Sequence, residues 1–393
     1  MSRFYFDHNA TTPVAPEVIE AISEALRSGF GNASSIHAEG QNARQLLERA
    51  RRQIAAYVGA SAAEIVFTSG GTESDNLAIL GLARNSRAPG KHVITTAIEH
   101  PAVLESCRQL ENEGTAVTYA PVGPNGAVVP DEIRRHIRPE TVLVSVMHAN
   151  NETGIVQPLA EIAAIVRDVR ESGQKIYMHS DGVQALGKVP VNVATLGVDL
   201  YSMSAHKMNA PKGIGALYVR KDVPLRGIQF GGRHERARRA GTENVPGAVA
   251  FGRAVELASA EPIWRKLAQM RDRFEQRILD ATHGTEINGA PAFRLPNTSN
   301  LYFPGVDGEA LIIALDLKGF AVSSGAACSS GSVEPSHVLL AMGRPKREAR
   351  QCVRFSLGRY NTEEQVDALA DAVIASVQQL RGANRKERLE QHA

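Results

Sequence analysis

Residues 68–76 (TSGGTESDN) combine the groups that a phosphate-binding turn needs. The segment runs from an apolar stretch through Gly70 and Gly71 into a helix predicted to begin near Thr72. Two glycines let the backbone approach a ligand closely, and a helix N-terminus offers N–H groups to an anion. The segment matches neither GxxxxGK[ST] nor GxGxxG, which disfavours nucleoside triphosphates and dinucleotides. Glycine turns are common, so this motif alone is weak evidence.

Two polar residues follow predicted strands, Asp181 in YMHSDGVQALG and Lys207 in SMSAHKMNAPKGIG. Ligands of open α/β sheets bind at the carboxyl ends of the strands. Taken separately, Asp181 fits a helix N-cap equally well, and Lys207 fits a solvated loop lysine better. Together with the glycine turn they form the set that pyridoxal 5′-phosphate requires. That set is a phosphate anchor, a carboxylate for the pyridinium nitrogen and a lysine for the Schiff base.

Three further residues carry reactive or anion-binding groups. His100, in IEHPAVLE, follows a predicted strand and could stack on a cofactor ring and move protons, although alone it would be an incidental loop residue. Cys328 lies among Ser, Ala and Gly, which is typical of a mobile loop and presents a thiol as a nucleophile. Arg354 alternates with apolar residues in CVRFSLG and therefore needs an anion, either a substrate carboxylate or an internal one.

Composition disfavours several classes of protein. The chain has 393 residues, with 44 Lys and Arg against 42 Asp and Glu, so we expect no nucleic-acid binding and no membrane. The basic run GGRHERARRAGTEN lacks interleaved aromatic residues and is interpreted as a loop that reaches an anionic ligand or a neighbouring subunit. Three cysteines without a CxxC pair predict no disulfide framework, no metal site and a cytoplasmic location.

Strand-like and helix-like segments alternate over the first 250 residues. Seven apolar runs predict strands at 64–68, 92–96, 115–120, 141–147, 175–179, 199–203 and 215–219. This pattern predicts an α/β fold with a mostly parallel seven-stranded sheet flanked by helices and mixed at one edge. We predict a large domain at 15–255 and a small α+β domain at 1–14 and 256–393. The small domain carries the mobile cysteine loop at about 323–336, and the tail after 381 is expected to fray.

The chain resembles a known family over nearly its whole length. It is similar to the cysteine desulfurases of the NifS/IscS type, in the aminotransferase class V group of fold-type I pyridoxal-phosphate enzymes. The motifs that carry the resemblance are DHNATTP, FGNASSIH, FTSGGTESDN, EHPAV, MHANNETG, HSDGVQALGK, SAHKMNAPKGIG, RRAGTEN, SSGAACSSG and VRFSLGRYNT. The uninterrupted segment after Cys328 resembles the long-loop NifS/IscS branch, and the EHPAV and RRAGTEN patterns lean towards NifS.

The resemblance implies a role for each matching residue. Lys207 would form the Schiff base, His100 would stack on the ring and manage protons at the thiols, and Cys328 would take the sulfur as a persulfide. Asn151 and Arg354 would hold the substrate, with Arg354 at its carboxylate. The implied cofactor contacts are Gly71, Thr72, Asn151, Asp181 at the pyridinium nitrogen, Gln184 at the phenolic oxygen, Ser204, His206, Lys207 and, reaching the phosphate of the other subunit, Thr242.

The implied activity is removal of sulfur from L-cysteine to give L-alanine and a persulfide on Cys328. The implied partners are a second copy of the chain, in a homodimer, and a sulfur-acceptor or iron–sulfur scaffold protein that receives the sulfur for cluster or other cofactor assembly. Transient ligation of an iron–sulfur cluster by Cys328 with that scaffold belongs to the same expectation. We expect Cys352 not to accept sulfur, since a strand thiol lacks the reach of a loop.

Three alternatives to this activity stay open. A selenocysteine lyase would depend less on Cys328, and an aminotransferase on the same fold would need a 2-oxo acid and no loop thiol. A sulfur-carrier or scaffold subunit that has lost its cofactor would belong to a different, non-catalytic class. The joint presence of Lys207, Asp181, His100 and Cys328 argues against such a loss.

Overall fold

The computed structural model describes residues 3–86, 89–289, 294–325 and 334–390, with side chains as far as residue 383. Cys328 and most of the predicted cysteine loop therefore lie outside the described residues. The strands are β1 Phe4–Tyr5, β2 Ile65–Thr68, β3 His92–Thr96, β4 Ala116–Ala120, β5 Thr141–Ser145, β6 Tyr177–Asp181, β7 Leu200–Ser204, β8 Gly215–Val219, β9 Glu286–Ile287, β10 Thr298–Tyr302, β11 Phe320–Ala321 and β12 Cys352–Ser356.

Helices occupy most of the chain between the strands. They are α1 Pro16–Ser28, α2 Ala38–Val58, α3 Gly71–Asn85, α4 Pro101–Asn112, α5 Pro130–His136, α6 Leu159–Glu171, α7 Val193–Leu196, α8 Val245–Ala260, α9 Trp264–Ala281, α10 Gly308–Leu317, α11 His337–Ala341, α12 Lys346–Ala349 and α13 Glu363–Glu390. Gly59 ends α2 at a φ of 71°, a conformation that glycine adopts without strain. Helix α13 continues to Glu390, beyond the predicted end at 381, and the fraying expected after that residue stays a prediction.

The seven predicted strands form one sheet in the order β2-β8-β7-β6-β5-β3-β4. Strand β8 is antiparallel to both of its neighbours and the other pairings are parallel, which confirms the α/β fold and the mixed edge. Successive side chains enter opposite apolar clusters: Ile94 and Val144 pack on one face, Val93 and Leu143 on the other. Both faces are thus buried under helices, as a parallel sheet requires.

A separate apolar cluster contains residues from the end of the chain together with Phe6. It packs against the antiparallel sheet β12-β10-β9, and β1 pairs with β11. The amide of Ser356 donates to the carbonyl of Phe6 at 2.8 Å, so the N-terminal segment joins this cluster. The domain division at 15–255 remains our prediction. Across the described ranges, no helix is both long and apolar enough to span a membrane.

Candidate active site

The predicted site residues meet at the carboxyl ends of neighbouring strands. Strand β6 ends at Asp181, two residues further than the sequence pattern indicates, and the adjacent β7 ends at Ser204. A 3₁₀ turn, Ala205–Lys207, follows β7 directly and places Lys207 beside the same edge. Because β6 and β7 are parallel, their terminal side chains open towards one site.

The glycine turn between β2 and α3 forms a cradle at this edge. A Cβ added to Gly215 would lie 2.6 Å from the Gly70 Cα, and one added to Gly71 would lie 2.6 Å from a Val183 methyl group. The Ser204 hydroxyl is buried and has no hydrogen-bond partner among the described residues, and a Cβ on Gly70 would lie 3.8 Å from it. A donor without a partner beside the N-terminus of α3 fits a phosphate.

The remaining predicted phosphate residues flank this cradle. Thr72 is exposed in the first turn of α3, where backbone N–H groups have no partner within the helix. His206 follows Ser204 in the 3₁₀ turn, and its Nδ1 lies 3.1 Å from the Thr11 hydroxyl. Burial lowers the pKa of His206 to about 4, so its ring is neutral and acts through hydrogen bonds rather than charge.

Asp181 lies near other buried acids and has no basic side chain at hydrogen-bond distance among the described residues. Its Oδ1 accepts a hydrogen bond from the Val183 amide at 2.9 Å. Burial and the nearby Asp75 together raise the pKa of Asp181 to about 6 against the opposing effect of His100. Burial also raises the pKa of Asp75 to about 7 and that of Glu99 to about 8. A protonated ring nitrogen would supply the cation that this group of carboxyls lacks.

His179 supports this acidic group from the core. Its Nδ1 lies 2.8 Å from the Ser145 hydroxyl and its Nε2 lies 3.0 Å from the Ser202 hydroxyl. Asp75 Oδ1 is 3.5 Å from the same Nε2. Burial lowers the pKa of His179 to about 4, so the ring stays neutral and orders the network without compensating the carboxylates.

Lys207 is held by backbone carbonyls. Its Nζ donates to the carbonyl oxygens of Asn9 and Ala10, the latter at 2.7 Å. Burial and the charge of Arg354 together lower the pKa of Lys207 to about 8. A lysine with a lowered pKa is neutral often enough near physiological pH to act as a nucleophile and a base.

His100 caps helix α4 beside both charged groups. Its Nδ1 accepts a hydrogen bond from the Ala102 amide at 3.1 Å. Burial lowers the pKa of His100, Asp181 opposes that shift, and Lys207 adds to it. Because the Ala102 amide occupies Nδ1, Nε2 is the ring nitrogen that remains for a ligand near the acid and the amine.

Arg354 is paired inside the chain, as one of the two interpretations of CVRFSLG predicted. Its Nη2 donates to Asp7 Oδ1 at 2.6 Å and its Nη1 donates to the Asn151 carbonyl at 2.8 Å. Its Nε is buried and has no partner in the described ranges. The guanidinium therefore keeps its Nε–H and the second N–H of each Nη for an incoming anion. Its contact with Asn151 joins the two predicted substrate residues.

Sequence reasoning missed three residues that organise this site. Asn9 accepts hydrogen bonds at its carbonyl oxygen from Lys207 and, at 2.8 Å, from Gln184 Nε2. Lys188 donates to Gln184 Oε1 at 2.6 Å, and Asp7 holds Arg354. All three lie in motifs that carried the resemblance, DHNATTP and HSDGVQALGK. That was the only signal available, because their partners are far away in sequence.

Two predicted residues do not join this group within the chain. Thr242 is exposed in the loop before α8, and Arg239 ties that loop to Glu73 of α3 at 2.9 Å. Cys328 lies outside the described residues. The residues on either side of that segment meet Glu152: Ser336 donates to its carboxylate, and a Cβ on Gly325 would lie 3.2 Å from its Cγ. The roles of Thr242 and Cys328 stay predictions.

Cys352 is buried in a different environment. Its Sγ accepts from Asn288 Nδ2 and donates to the Glu348 carbonyl, both at 3.3 Å. Burial raises its pKa to about 11, so the thiol stays protonated and is a poor nucleophile. Within the described ranges, no group of three or more His, Cys, Asp or Glu residues could hold a metal ion.

Comparisons with known proteins agree on one family. The Aminotransferase class-V family matches residues 4–369. A protein named cysteine desulfurase IscS from Methanosarcina thermophila is 48% identical over 379 residues, 96% of this chain and 92% of the relative. A solved structure titled NifS-like protein is 38% identical with a TM-score of 0.89, covering 96% of this chain and 99% of the other. A structure titled SspA in complex with cysteine is 36% identical with a TM-score of 0.81, covering 91% and 99%.

Proposed function

We propose a mechanism for this chain on the premise that it belongs to the aminotransferase class V family, within which it is a cysteine desulfurase. In this mechanism, sulfur leaves L-cysteine with the aid of pyridoxal 5′-phosphate, L-alanine is released, and Cys328 holds the sulfur as a persulfide. The observation that carries the proposal is the meeting of Asp181, Lys207 and the cradle at Ser204 along one sheet edge.

The cofactor would be held by residues whose contacts fit its parts. The cradle residues Gly71, Thr72, Ser204 and His206 suit its phosphate, and Asp181 suits its ring nitrogen. Gln184 would donate to the phenolic oxygen, while His100 would cover the ring and Asn151 would contact it. When bound, pyridoxal 5′-phosphate withdraws electrons from the substrate and thereby weakens the bonds at its Cα.

Arg354 and Lys207 would act on the amino acid itself. The Arg354 guanidinium would bind the substrate carboxylate while Asp7 and the Asn151 carbonyl fix its plane. Lys207, whose pKa is lowered to about 8, would be the Schiff-base lysine that holds the cofactor, and its amine would be the base that takes the Cα proton of the substrate. The two carbonyl oxygens that hold its Nζ would keep the amine oriented.

Sulfur transfer would require His100 and Cys328. His100, whose Nδ1 is occupied by the Ala102 amide, would manage protons at the thiols through Nε2. The Cys328 thiolate would attack the substrate sulfur, forming the S–S bond as the C–S bond breaks. This step rests on the resemblance, since Cys328 lies outside the described residues.

We also propose that the working unit is a cytoplasmic homodimer. Thr242 is exposed within one chain, and its loop is fixed by the buried ion pair between Arg51 and Glu235 at 2.6 Å. An exposed threonine on a fixed loop suits a contact with the phosphate of a second copy. Cys107 and Cys352 are free thiols, which supports a reducing compartment.

The sulfur acceptor follows from the relatives rather than from the site. Proteins named IscS are among the similar sequences, and SspA was solved in complex with cysteine. These names support L-cysteine as substrate and a sulfur-acceptor or iron–sulfur scaffold protein as partner. Transient ligation of a cluster by Cys328 on that scaffold is part of the same proposal.

The test measures alanine and sulfide released from L-cysteine with a thiol reductant. We expect the wild type to make both and Cys328→Ala to lose both by about 10²-fold or more, since its nucleophile is gone. Cys352→Ala is the matched control and should keep the wild-type rate, because its thiol is buried and protonated. Full activity in Cys328→Ala would refute the persulfide assignment. Turnover of selenocysteine alone, or of a 2-oxo acid, would refute the proposed substrate.

A further inference from the structure

Lys188 is a buried lysine that the mechanism above does not use. Its side chain is 7% exposed, and its Nζ lies 2.6 Å from Gln184 Oε1 and 3.0 Å from Asn9 Oδ1. Both partners are neutral amide oxygens. The charged groups that act on its pKa, Lys207 and Arg354, are cations and lower it together with burial. A buried amine in this setting lowers the stability of the fold, so a lysine at this position calls for a functional explanation.

The hydrogen bond from Lys188 decides which way the Gln184 amide faces. A lysine amine next to two amide oxygens acts as a donor, so Gln184 must turn its Oε1 to Lys188. Its Nε2 then faces the opposite way and donates to the Asn9 carbonyl at 2.8 Å. Lys207 donates to that same carbonyl oxygen. The N–H group of Gln184 therefore lies beside the reactive amine.

Asn9 gives this arrangement a fixed base. Its Oδ1 accepts from Lys188 and, at 3.1 Å, from Asn297. Its Nδ2 donates to the Asn151 carbonyl at 3.2 Å and to the Thr298 hydroxyl at 2.9 Å. Both ends of the Asn9 amide are thus committed, and Asn9 cannot rotate to replace Lys188 as the partner of Gln184.

We propose that Lys188 is a positioning residue for the reaction, which orients Gln184 so that its amide N–H donates to the phenolic oxygen of pyridoxal 5′-phosphate. This proposal rests on the proposed function, because Gln184 has that role only if the cofactor binds. Without Lys188, only the Asn9 carbonyl favours this direction of the Gln184 amide, so the reversed amide becomes more populated. The reversed amide would direct oxygen lone pairs at the phenolic oxygen and repel it.

The consequence is measurable in the absorption of the bound cofactor. A donor at the phenolic oxygen stabilises negative charge there and so makes the neighbouring Schiff-base nitrogen less basic. Loss of the donor makes that nitrogen more basic. The pH midpoint at which the visible band changes should therefore move upward when Gln184 loses its orientation.

The experiment titrates the visible band of the purified holoenzyme, comparing wild type with Lys188→Met. We expect the midpoint to rise by about one pH unit, the scale of one hydrogen bond to a charged group. Lys318→Met is the control, since exposed Lys318 at the end of α10 also donates to a neutral oxygen, the Ser376 hydroxyl of α13, at 2.7 Å. That variant should keep the wild-type midpoint. Lys188→Leu serves as a second apolar variant if Lys188→Met does not fold.

A double-variant cycle separates positioning from a merely structural role. If Lys188 acts through Gln184, then Lys188→Met combined with Gln184→Ala should titrate at the midpoint of Gln184→Ala alone. Shifts that add, or a lower melting temperature with an unmoved midpoint, would overturn the inference. A wild-type protein that takes up no cofactor and shows no visible band would instead refute the proposed function.

Discussion

The candidate active site has an acidic side on the central sheet and a cationic side on the N-terminal segment. The two sides differ in how their buried charges are compensated. On the side of the central sheet, Asp181 and the neighbouring Asp75 and Glu99 are acids buried without a cation from the described chain at hydrogen-bond distance. On the side of the N-terminal segment, the cations Lys207 and Arg354 are held by oxygen atoms. The buried acids thus lack a cation that a ligand would supply, whereas the cations already have oxygen partners within the chain.

Buried carboxylates without a cation lower the stability of the acidic side, and a bound cationic ligand would relieve that penalty. Burial raises the pKa of Asp181 to about 6, and Asp75 acts in the same direction. His179 is neutral and gives no compensating charge, since burial lowers its pKa to about 4. A cationic ring nitrogen at Asp181 would reverse this penalty, so the acidic side favours a ligand that carries a proton there.

The cationic side is organised by the chain itself. The carbonyls of Asn9 and Ala10 hold Lys207, while Asp7 holds Arg354. All three of those residues belong to one segment before α1, so a short stretch of chain fixes both cations. Under the proposed function, a substrate carboxylate would therefore share Arg354 with Asp7. Affinity for the cofactor would then arise on the acidic side and orientation of the substrate on the cationic side.

We expect the greatest loss of activity from a substitution on the acidic side, Asp181→Asn. Asp181→Asn removes the negative charge opposite the ring nitrogen and should lower the rate of alanine formation by about 10²- to 10³-fold, the usual effect of losing one preorganised electrostatic group. The measurement is the turnover number at saturating L-cysteine and cofactor. A loss below about fivefold would contradict the role of Asp181.

Asp75→Asn is the companion variant, because Asp75 raises the pKa of Asp181 without reaching the site edge itself. Its removal should lower the pKa of Asp181 and shift the acidic limb of the pH–rate profile to lower pH. Turnover near pH 8 should change far less than in Asp181→Asn. An acidic limb that stays in place would show that Asp181 does not control it.

Substitutions on the cationic side should change the KM for L-cysteine. Arg354→Lys keeps the charge but loses the forked donor and should raise the KM for L-cysteine by about 10- to 100-fold, the range for a hydrogen bond to a charged group. Asp7→Asn keeps an oxygen acceptor for Arg354 and should change KM by less than about fivefold. If Asp7→Asn has the larger effect, Asp7 and not Arg354 dominates substrate binding. Initial rates over a range of L-cysteine concentrations check both values.

The sequence predicted the acidic side better than the cationic side. Asp181 follows an apolar strand, and the strand pattern places its end at a sheet edge whatever the rest of the chain does. The seven strands and the mixed edge were predictable for the same reason, because each depends on a local period of two residues.

The cationic side depends on contacts that no local pattern reveals. Asn9 meets Lys207 across 198 positions of sequence, and it acts there through its backbone carbonyl. Lys188 stands four residues after Gln184, a helical spacing that by itself indicates an ordinary neighbour. The length of α13 was likewise missed, since a charged terminal sequence predicts fraying whereas the observed helix continues to Glu390.

Glu99→Gln should have a smaller effect, on stability. It tests whether the buried carboxyl of Glu99 destabilises the fold. Glu99 Oε1 accepts from the Thr96 hydroxyl at 2.7 Å and from the Met147 amide at 2.9 Å, whereas its Oε2 is buried without a partner in the described part of the chain. Glutamine keeps the accepting oxygen and replaces Oε2 with an uncharged amide. It therefore mimics the protonated acid.

The sign of the effect follows from the raised pKa. Burial raises the pKa of Glu99 from 4.5 to about 8, so the folded state holds a proton that the unfolded state releases, and stability falls as pH rises from about 4.5 to 8. Glu99→Gln removes this loss. The difference in melting temperature between Glu99→Gln and wild type should therefore grow by a few degrees when the pH is raised from 5 to 8.5. Glu309→Gln, at an exposed glutamate, is the control. If the difference in melting temperature between Glu99→Gln and wild type does not change with pH, ionisation of Glu99 does not lower the stability of the fold.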